Sequence, residues 1–319
     1  MHYHFLIVGA GFAGCILAER LATQRNKKVL LIDRRNHVGG NAYDVQNEEG
    51  ILIHRYGPHL FHTNDEHVFA YLSQFTEWRA YEHRVLSSVN GKLVPIPINR
   101  ITVNELFNLH LQNDDEVKQF FEREKETITA ITNSEEYVTS RVGKRLFRLL
   151  YKGYTRKQWG REPKELAPSV CGRIPIRLNT DSRYFDDCFQ GVPKEGYTKM
   201  FERMIAHSNI HLSLSTEYKE VPSSSFHHLI YTGPIDEYFD YEYGKLPYRS
   251  LNFEHETIDA EYFQSAATVN FPNSFDYTRI NEWKHITGQK HSKTAITREY
   301  PQAEGDPYYP IPTLESEQQ

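Results

Sequence analysis

Gly9-Ala-Gly11-Phe-Ala-Gly14 follows directly on the apolar run Phe5-Leu6-Ile7-Val8. Glycines at that spacing let a backbone close on a dinucleotide pyrophosphate. Gly9 permits the tight turn, Gly11 brings the backbone near the phosphates, and Gly14 lets the next helix pack on the strand. Ala13 falls in the first turn of that helix, where free N–H groups face the anion. Asp33 ends a second apolar run, Lys28-Val-Leu-Leu-Ile32, and a carboxylate there can accept from a ribose hydroxyl. A second chemically dense stretch comprises Gly153-Tyr154-Thr-Arg-Lys-Gln-Trp159-Gly160, Arg173-Ile-Pro-Ile-Arg177 and Tyr184 to Tyr197. Its aromatic faces could stack on a base, and its guanidinium groups could pair with phosphate oxygens. The competing reading of any single Arg here is a surface ion pair with Asp186 or Asp187. No Ser-His-Asp or Cys-His set offers a protein nucleophile.

These residues need elements to hold them. The expected βαβ unit consists of the two apolar runs and a helix from Ala13 to Ala22, with Ile16, Leu17 and Leu21 on one side. Val94-Pro-Ile-Pro-Ile98 reads as a proline-broken edge strand or linker. From Thr102 to about Lys152 the pattern turns helical. Val117, Phe120, Phe121, Thr127, Ile128 and Ile131 predict a helix over 116–131, and Ser134 is the expected N-cap of the next. The 319 residues allow one large or two to three small folding units. A formal charge of −5 gives no support for non-specific nucleic-acid binding. No apolar run is long enough for a membrane helix, and the N-terminus does not read as a signal peptide. Cys15, Cys171 and Cys188 are odd in number and widely spaced, which argues against a disulfide framework or zinc site and for a reducing compartment. The 21 Tyr suit a flat, polar ligand, although most are expected to pack at domain surfaces.

Beyond Asp33-Arg34, the pair Gly39-Gly40 followed by Asn41 resembles the flavoprotein branch that includes amine oxidases and phytoene desaturases. There the pair approaches the FAD pyrophosphate. FAD is favoured over NAD, and a plain β-turn is the alternative. Tyr56-Gly-Pro-His59-Leu60-Phe-His62-Thr63 is read as a loop bordering the flavin. Metal ligation is discounted because no nearby Cys or carboxylate completes a set.

The motifs at 153–160, 173–177 and 184–197 resemble those of bacterial UDP-galactopyranose mutases. So do Tyr231-Thr-Gly-Pro-Ile-Asp236, Tyr248-Arg-Ser-Leu251, Asn270-Phe271, Tyr277-Thr-Arg-Ile280 and Asp306-Pro-Tyr-Tyr-Pro310, in collinear order. The resemblance implies an α/β fold: an FAD-binding Rossmann-like domain (1–80 plus 197–240), a helical insert (100–152) and an antiparallel-sheet substrate domain (81–99, 153–196 and 241–312). It implies FAD contacts at Gly9, Gly11, Ala13, Gly14, Asp33, Arg34, Gly39, Gly40, Asn41, His59 and Leu60. Substrate contacts would fall on His83, Tyr154, Trp159, Tyr184, Arg249, Asn270 and Tyr309, with Arg173 and Arg279 as catalytic cations. Relatives often carry Asn where this chain has His83. The implied reaction is interconversion of UDP-galactopyranose and UDP-galactofuranose by attack of reduced flavin N5 on the anomeric carbon. It would take place in the cytoplasm and supply galactofuranose for cell-surface polysaccharide. A homodimer is compatible with it, and neither nucleic acid nor membrane insertion is expected.

The resemblance also implies a departure. Such proteins normally continue past Tyr-Tyr-Pro with a helix, a strand and a further helix, whereas residues 313–319 form a polar tail. The expectations are therefore weak FAD binding, aggregation and little activity for these 319 residues. The alternatives are an inactive remnant and another FAD oxidoreductase of the amine-oxidase type.

Overall fold

The computed structural model describes residues 2–312, so the polar tail lies outside the described residues. The chain divides into two compact units: 1–81, 187–245 and 287–289 in the first, and 82–186, 246–286 and 290–319 in the second.

The first unit is built on a four-stranded parallel sheet in the order Ile210–Leu214, Val29–Asp33, Tyr3–Val8, Phe226–Tyr231. The helix Phe12–Arg25 is longer at both ends than its expected span. It buries Gly14, Cys15, Ala18 and Ala22, small residues that let it sit close to the sheet. A second helix, Tyr197–Met204, completes the core with Met200 and Phe201. Burial of each such side chain contributes about 2–3 kcal/mol. The start of that helix is capped by Asp44, whose carboxylate oxygens accept from Tyr197 N at 2.6 Å and Thr198 N at 2.8 Å. The strand Phe189–Pro193, expected with the substrate domain, instead pairs with Phe61–Thr63 and Trp78–Ala80 in this unit.

The second unit holds a seven-stranded sheet in the order Tyr309–Pro310, Tyr248–Ile258, Thr294–Gln302, Arg279–Glu282, Thr268–Asn270, Val85–Val89, Lys92–Ile96. All pairs are antiparallel except Thr268–Asn270 with Val85–Val89, which are parallel. A parallel pair needs a long connection, and here the chain between the two strands runs over 90–267. Lys92–Ile96 is an edge strand, as Pro95 within it requires.

The helical region differs from expectation in two places. The helix Asp114–Glu124 begins earlier than expected and stops at Lys125, which is extended. Thr127, Ile128 and Ile131 therefore lie outside it: the periodicity ran on past the true end. The next helix, Ser134–Leu146, is capped by Asn133, whose side chain accepts from Glu136 N. Ser134 is the first helical residue, and its Oγ donates to Ala167 O at 2.6 Å. Gly143, at φ +79°, kinks this helix where a Cβ would stand 2.1 Å from Glu124 O. A π-helical segment, Phe147–Lys152, then leads into the helix Gly153–Trp159. Among the described residues no helix is long and apolar enough to cross a membrane.

Candidate functional site

In the first unit the two glycine pieces face each other. Gly39 N donates to Ala10 O at 2.8 Å, and a Cβ built on Gly40 would lie 3.0 Å from Gly11 Cα. Gly9 at φ +102° and Gly39 at φ +95° hold backbone that L side chains rarely adopt. A Cβ at Gly14 would stand 1.8 Å from Gly9 O, so this glycine sets the approach of helix to strand. The helix Phe12–Arg25 starts at Gly11 with no side-chain cap, and Ala13 is exposed in its first turn. These features make a cradle that fits a dinucleotide pyrophosphate.

Asp33 first fixes that cradle. Its Oδ2 accepts from Ala10 N at 2.8 Å and its Oδ1 from Arg35 N at 2.9 Å. Arg34 is exposed and pairs with Glu237 at 3.7 Å, while Asn41 Oδ1 accepts from Arg35 Nη1 at 3.0 Å. His59 N donates to His54 Nδ1 at 3.1 Å, and burial pushes both imidazoles down, His54 to about 3. Leu60 is half-buried between His59 and the strand Phe61–Thr63.

In the second unit Arg279 is the centre. It stands in register opposite Asn270 across an antiparallel pair, and its Nη2 donates to Tyr154 Oη. Its Nε lies 3.3 Å from Glu299 Oε2, an ion pair in which the N–H is not aimed at the oxygen and so makes no hydrogen bond. Burial works against the charge, but Glu299 and Tyr154 hold the guanidinium protonated, above its usual range. Asn270 Oδ1 is buried with no hydrogen-bond partner. Burial pushes Tyr154 up to about 12 and, helped by Arg279, His83 down to about 3. Tyr184 packs edge-on against His83, with ring centroids 5.7 Å apart.

Arg173 follows the short helix Ser169–Gly172 and is exposed. Tyr309 keeps 36% of its surface exposed, yet the burial of its surroundings pushes its hydroxyl up. Arg173 and Arg279 both oppose the rise at Tyr154 and Tyr309, which places the two cations in one neighbourhood. Trp159 is buried, with its ring 6.2 Å from that of Tyr309. Arg249 is buried against the end of a helix. Its Nε donates to Gln158 O at 3.1 Å and its Nη2 to Lys157 O at 3.3 Å, capping the helix that carries Tyr154 and Trp159. Arg177 is taken up by ion pairs with Asp186 at 2.6 Å and Asp181 at 3.3 Å, but it is buried and so makes no surface pair.

The family model for UDP-galactopyranose mutase matches residues 149–319, and that for an NAD(P)-binding Rossmann-like domain matches 7–75. A probable UDP-galactopyranose mutase of Klebsiella pneumoniae is 40% identical over 314 residues, covering 97% of this chain and 81% of its own length. The chain belongs to the UDP-galactopyranose mutase family. It is an enzyme of the isomerase class, as are its curated relatives. The dTDP-fucopyranose mutase of Escherichia coli is 35% identical over 318 residues, covering 96% of this chain and 84% of its own. The crystal structure of a reduced UDP-galactopyranose mutase superposes with a TM-score of 0.68 at 16% identity, covering 96% of this chain and 76% of that one. That likeness establishes the fold.

Within this mutase-family fold, two contributors escaped the sequence reading. Glu299 is 2% exposed and compensates Arg279. Its signal was a carboxylate in the strand Thr294–Gln302, whose other buried residues are Thr294, Ala295, Ile296 and Thr297. Lys157 lies inside the 153–160 motif, but its role depends on a turn more than a hundred residues away.

Proposed function

We propose that the chain interconverts UDP-galactopyranose and UDP-galactofuranose with reduced FAD as cofactor. The observation that supports this best is the Arg279 cluster: a guanidinium held charged by Glu299, bonded to Tyr154, and set opposite an Asn270 oxygen with no partner. A fixed cation of this kind stabilises charge that develops on a departing diphosphate. Arg173 supplies a second, exposed cation that, like Arg279, acts on the Tyr154 and Tyr309 hydroxyls. Tyr154 and Trp159 would stack on the uracil. His83, neutral through burial, could exchange hydrogen bonds with the sugar without adding charge. Tyr184, Asn270 and Tyr309 would complete the sugar and phosphate contacts, and Arg249 would act by holding the helix end beneath Trp159.

In the first unit Gly9, Gly11, Ala13, Gly14, Gly39 and Gly40 would hold the FAD pyrophosphate. Asp33 and Arg34 would take the ribose side, and Asn41, His59 and Leu60 would contact the remainder. When bound and reduced, FAD supplies a nucleophilic nitrogen, N5, for the anomeric carbon. The part of the chain's own residues is to bind the nucleotide sugar, orient that carbon and neutralise the leaving diphosphate. We assign the cofactor domain to 1–80 plus 197–240 with the strand Phe189–Pro193, the insert to 100–152 and the substrate domain to 81–99, 153–188 and 241–312. The role assigned is cytoplasmic supply of galactofuranose for surface polysaccharide.

A second reading, a dTDP-linked hexose as substrate, is favoured by the 35% identity to the dTDP-fucopyranose mutase. The test is to incubate FAD-loaded protein and dithionite with UDP-galactofuranose or dTDP-fucofuranose and resolve the products by chromatography. Conversion of the UDP-sugar alone supports the first reading and conversion of the dTDP-sugar alone the second. Conversion of neither would sink both.

A further inference from the structure

The hairpin that carries Asn270 and Arg279 is joined by a turn over 271–278, and that turn is docked on the helix Gly153–Trp159. Two contacts hold it. The three N–H groups of Lys157 Nζ serve four backbone oxygens, one N–H being shared: those of Phe271, Ser274 (3.0 Å), Phe275 (3.3 Å) and Tyr277 (2.9 Å). Gly153 lies so close that a Cβ there would be 2.4 Å from Pro272 O. Asn273 Nδ2 adds a bond to Leu149 O at 2.8 Å, one turn earlier. Within the turn, Phe275 sits at φ +58°, a conformation uncommon for a non-glycine residue and kept only where the surroundings enforce it.

One ammonium thus gathers four carbonyls of a turn whose two ends are site residues. The same helix presents Tyr154, three residues before Lys157, to Arg279 Nη2. Burial pushes the ammonium down to about 8, with the Asp276 carboxylate pulling it back, so it is charged at neutral pH. An apolar residue at 157 would leave four backbone acceptors to find other partners, and the turn would lose the point that sets its height on the helix.

We propose that Lys157 is a positioning residue, whose contacts with the 271–277 turn set Asn270 and Arg279 where they meet the diphosphate of the bound nucleotide. The inference rests on the nucleotide-sugar reading given above. It assigns Lys157 no contact with the ligand: its effect passes through Arg279.

The test uses FAD-loaded protein and the probes UDP and uridine, with affinities from titration calorimetry. Lys157→Met is expected to weaken UDP about tenfold or more and uridine by less than about threefold, because only UDP carries the diphosphate. In an Arg279→Met background the same change is expected to weaken UDP by less than about threefold, since the group it positions is already gone. Equal losses in both backgrounds, or UDP affinity in Lys157→Met equal to wild type, would overturn the proposal. Lys157→Arg, which keeps a cation and donors, serves as the second variant and should retain part of the UDP affinity. Failure of both variants to fold would make Lys157 a residue of the fold and overturn the positioning role. A wild-type protein that binds no UDP would overturn the nucleotide reading and this inference with it.

Discussion

Replacing Glu299 with Gln separates the two things the Arg279 cluster does. The carboxylate is 2% exposed, its Oε2 lies 3.3 Å from Arg279 Nε, and its Oε1 accepts from Asn281 Nδ2 at 2.6 Å. Gln preserves shape and can keep the Asn281 bond, so the change removes little besides charge. At 3.3 Å and an effective dielectric of about 20, the pair attraction is about 5 kcal/mol. Breaking a buried pair by removing one partner costs about 3–5 kcal/mol. The Arg279 side chain is 22% exposed, which puts the expected loss near the low end, about 3 kcal/mol. Ligand affinity should move the other way. A phosphate meeting the guanidinium from its open side would lie on the order of 10 Å from the carboxylate, where one unit of repulsion is about 1.7 kcal/mol. Its removal should tighten UDP more than tenfold and leave uridine unchanged. The assays are urea unfolding at constant slope and calorimetric titration with each ligand. A folded Glu299→Gln protein whose UDP affinity is unchanged or weaker would refute the view that Arg279 is shared between carboxylate and diphosphate.

Other perturbations address separate parts. A Cβ at Gly11 would meet Gly40 Cα at an ordinary 3.6 Å and Gly40 N at 3.9 Å, so Gly11→Val should fold yet fill the cradle; yellow, flavin-loaded Gly11→Val protein would contradict the site. Arg173→Ala should lower kcat by about two to three orders of magnitude and leave flavin absorbance intact, and normal turnover would remove Arg173 from the chemistry. His54 and His83 are both held down to about 3 by burial, against about 6.5 in an unfolded chain. Between those values the unfolded state binds more protons, so their contribution is complete above pH ~6.5 and is lost as pH falls toward ~3. Denaturant midpoints against pH should show this slope, and a His54→Gln protein with an unaltered slope would argue against a buried neutral His54.

How much of this was legible in the sequence depends on how local the physics is. The glycine cradle was readable because each position answers a backbone requirement within a few residues: a positive φ at Gly9, or the 1.8 Å clash that a Cβ at Gly14 would make. Helix ends were less so, because Ile128 and Ile131 continue an apolar period that the extended Lys125 has already terminated. Side-chain roles set by register were not readable at all. Arg249 was assigned to the ligand by resemblance, and the bonds that tie it to the end of a helix 91 residues away had no signal in the spacing. Arg279 was assigned by resemblance, but its partner Glu299 became visible only when the strands Arg279–Glu282 and Thr294–Gln302 were placed in register. A cation poised for an anionic ligand needs a counter-charge when that ligand is absent, because an uncompensated buried guanidinium is costly. Such a counter-charge must be a carboxylate at a buried strand position. Glu299 is the only acidic residue of Thr294–Gln302, a strand whose buried residues are otherwise Thr294, Ala295, Ile296 and Thr297. In this fold, then, an acidic residue placed against the apolar pattern of a strand points to the cation it compensates.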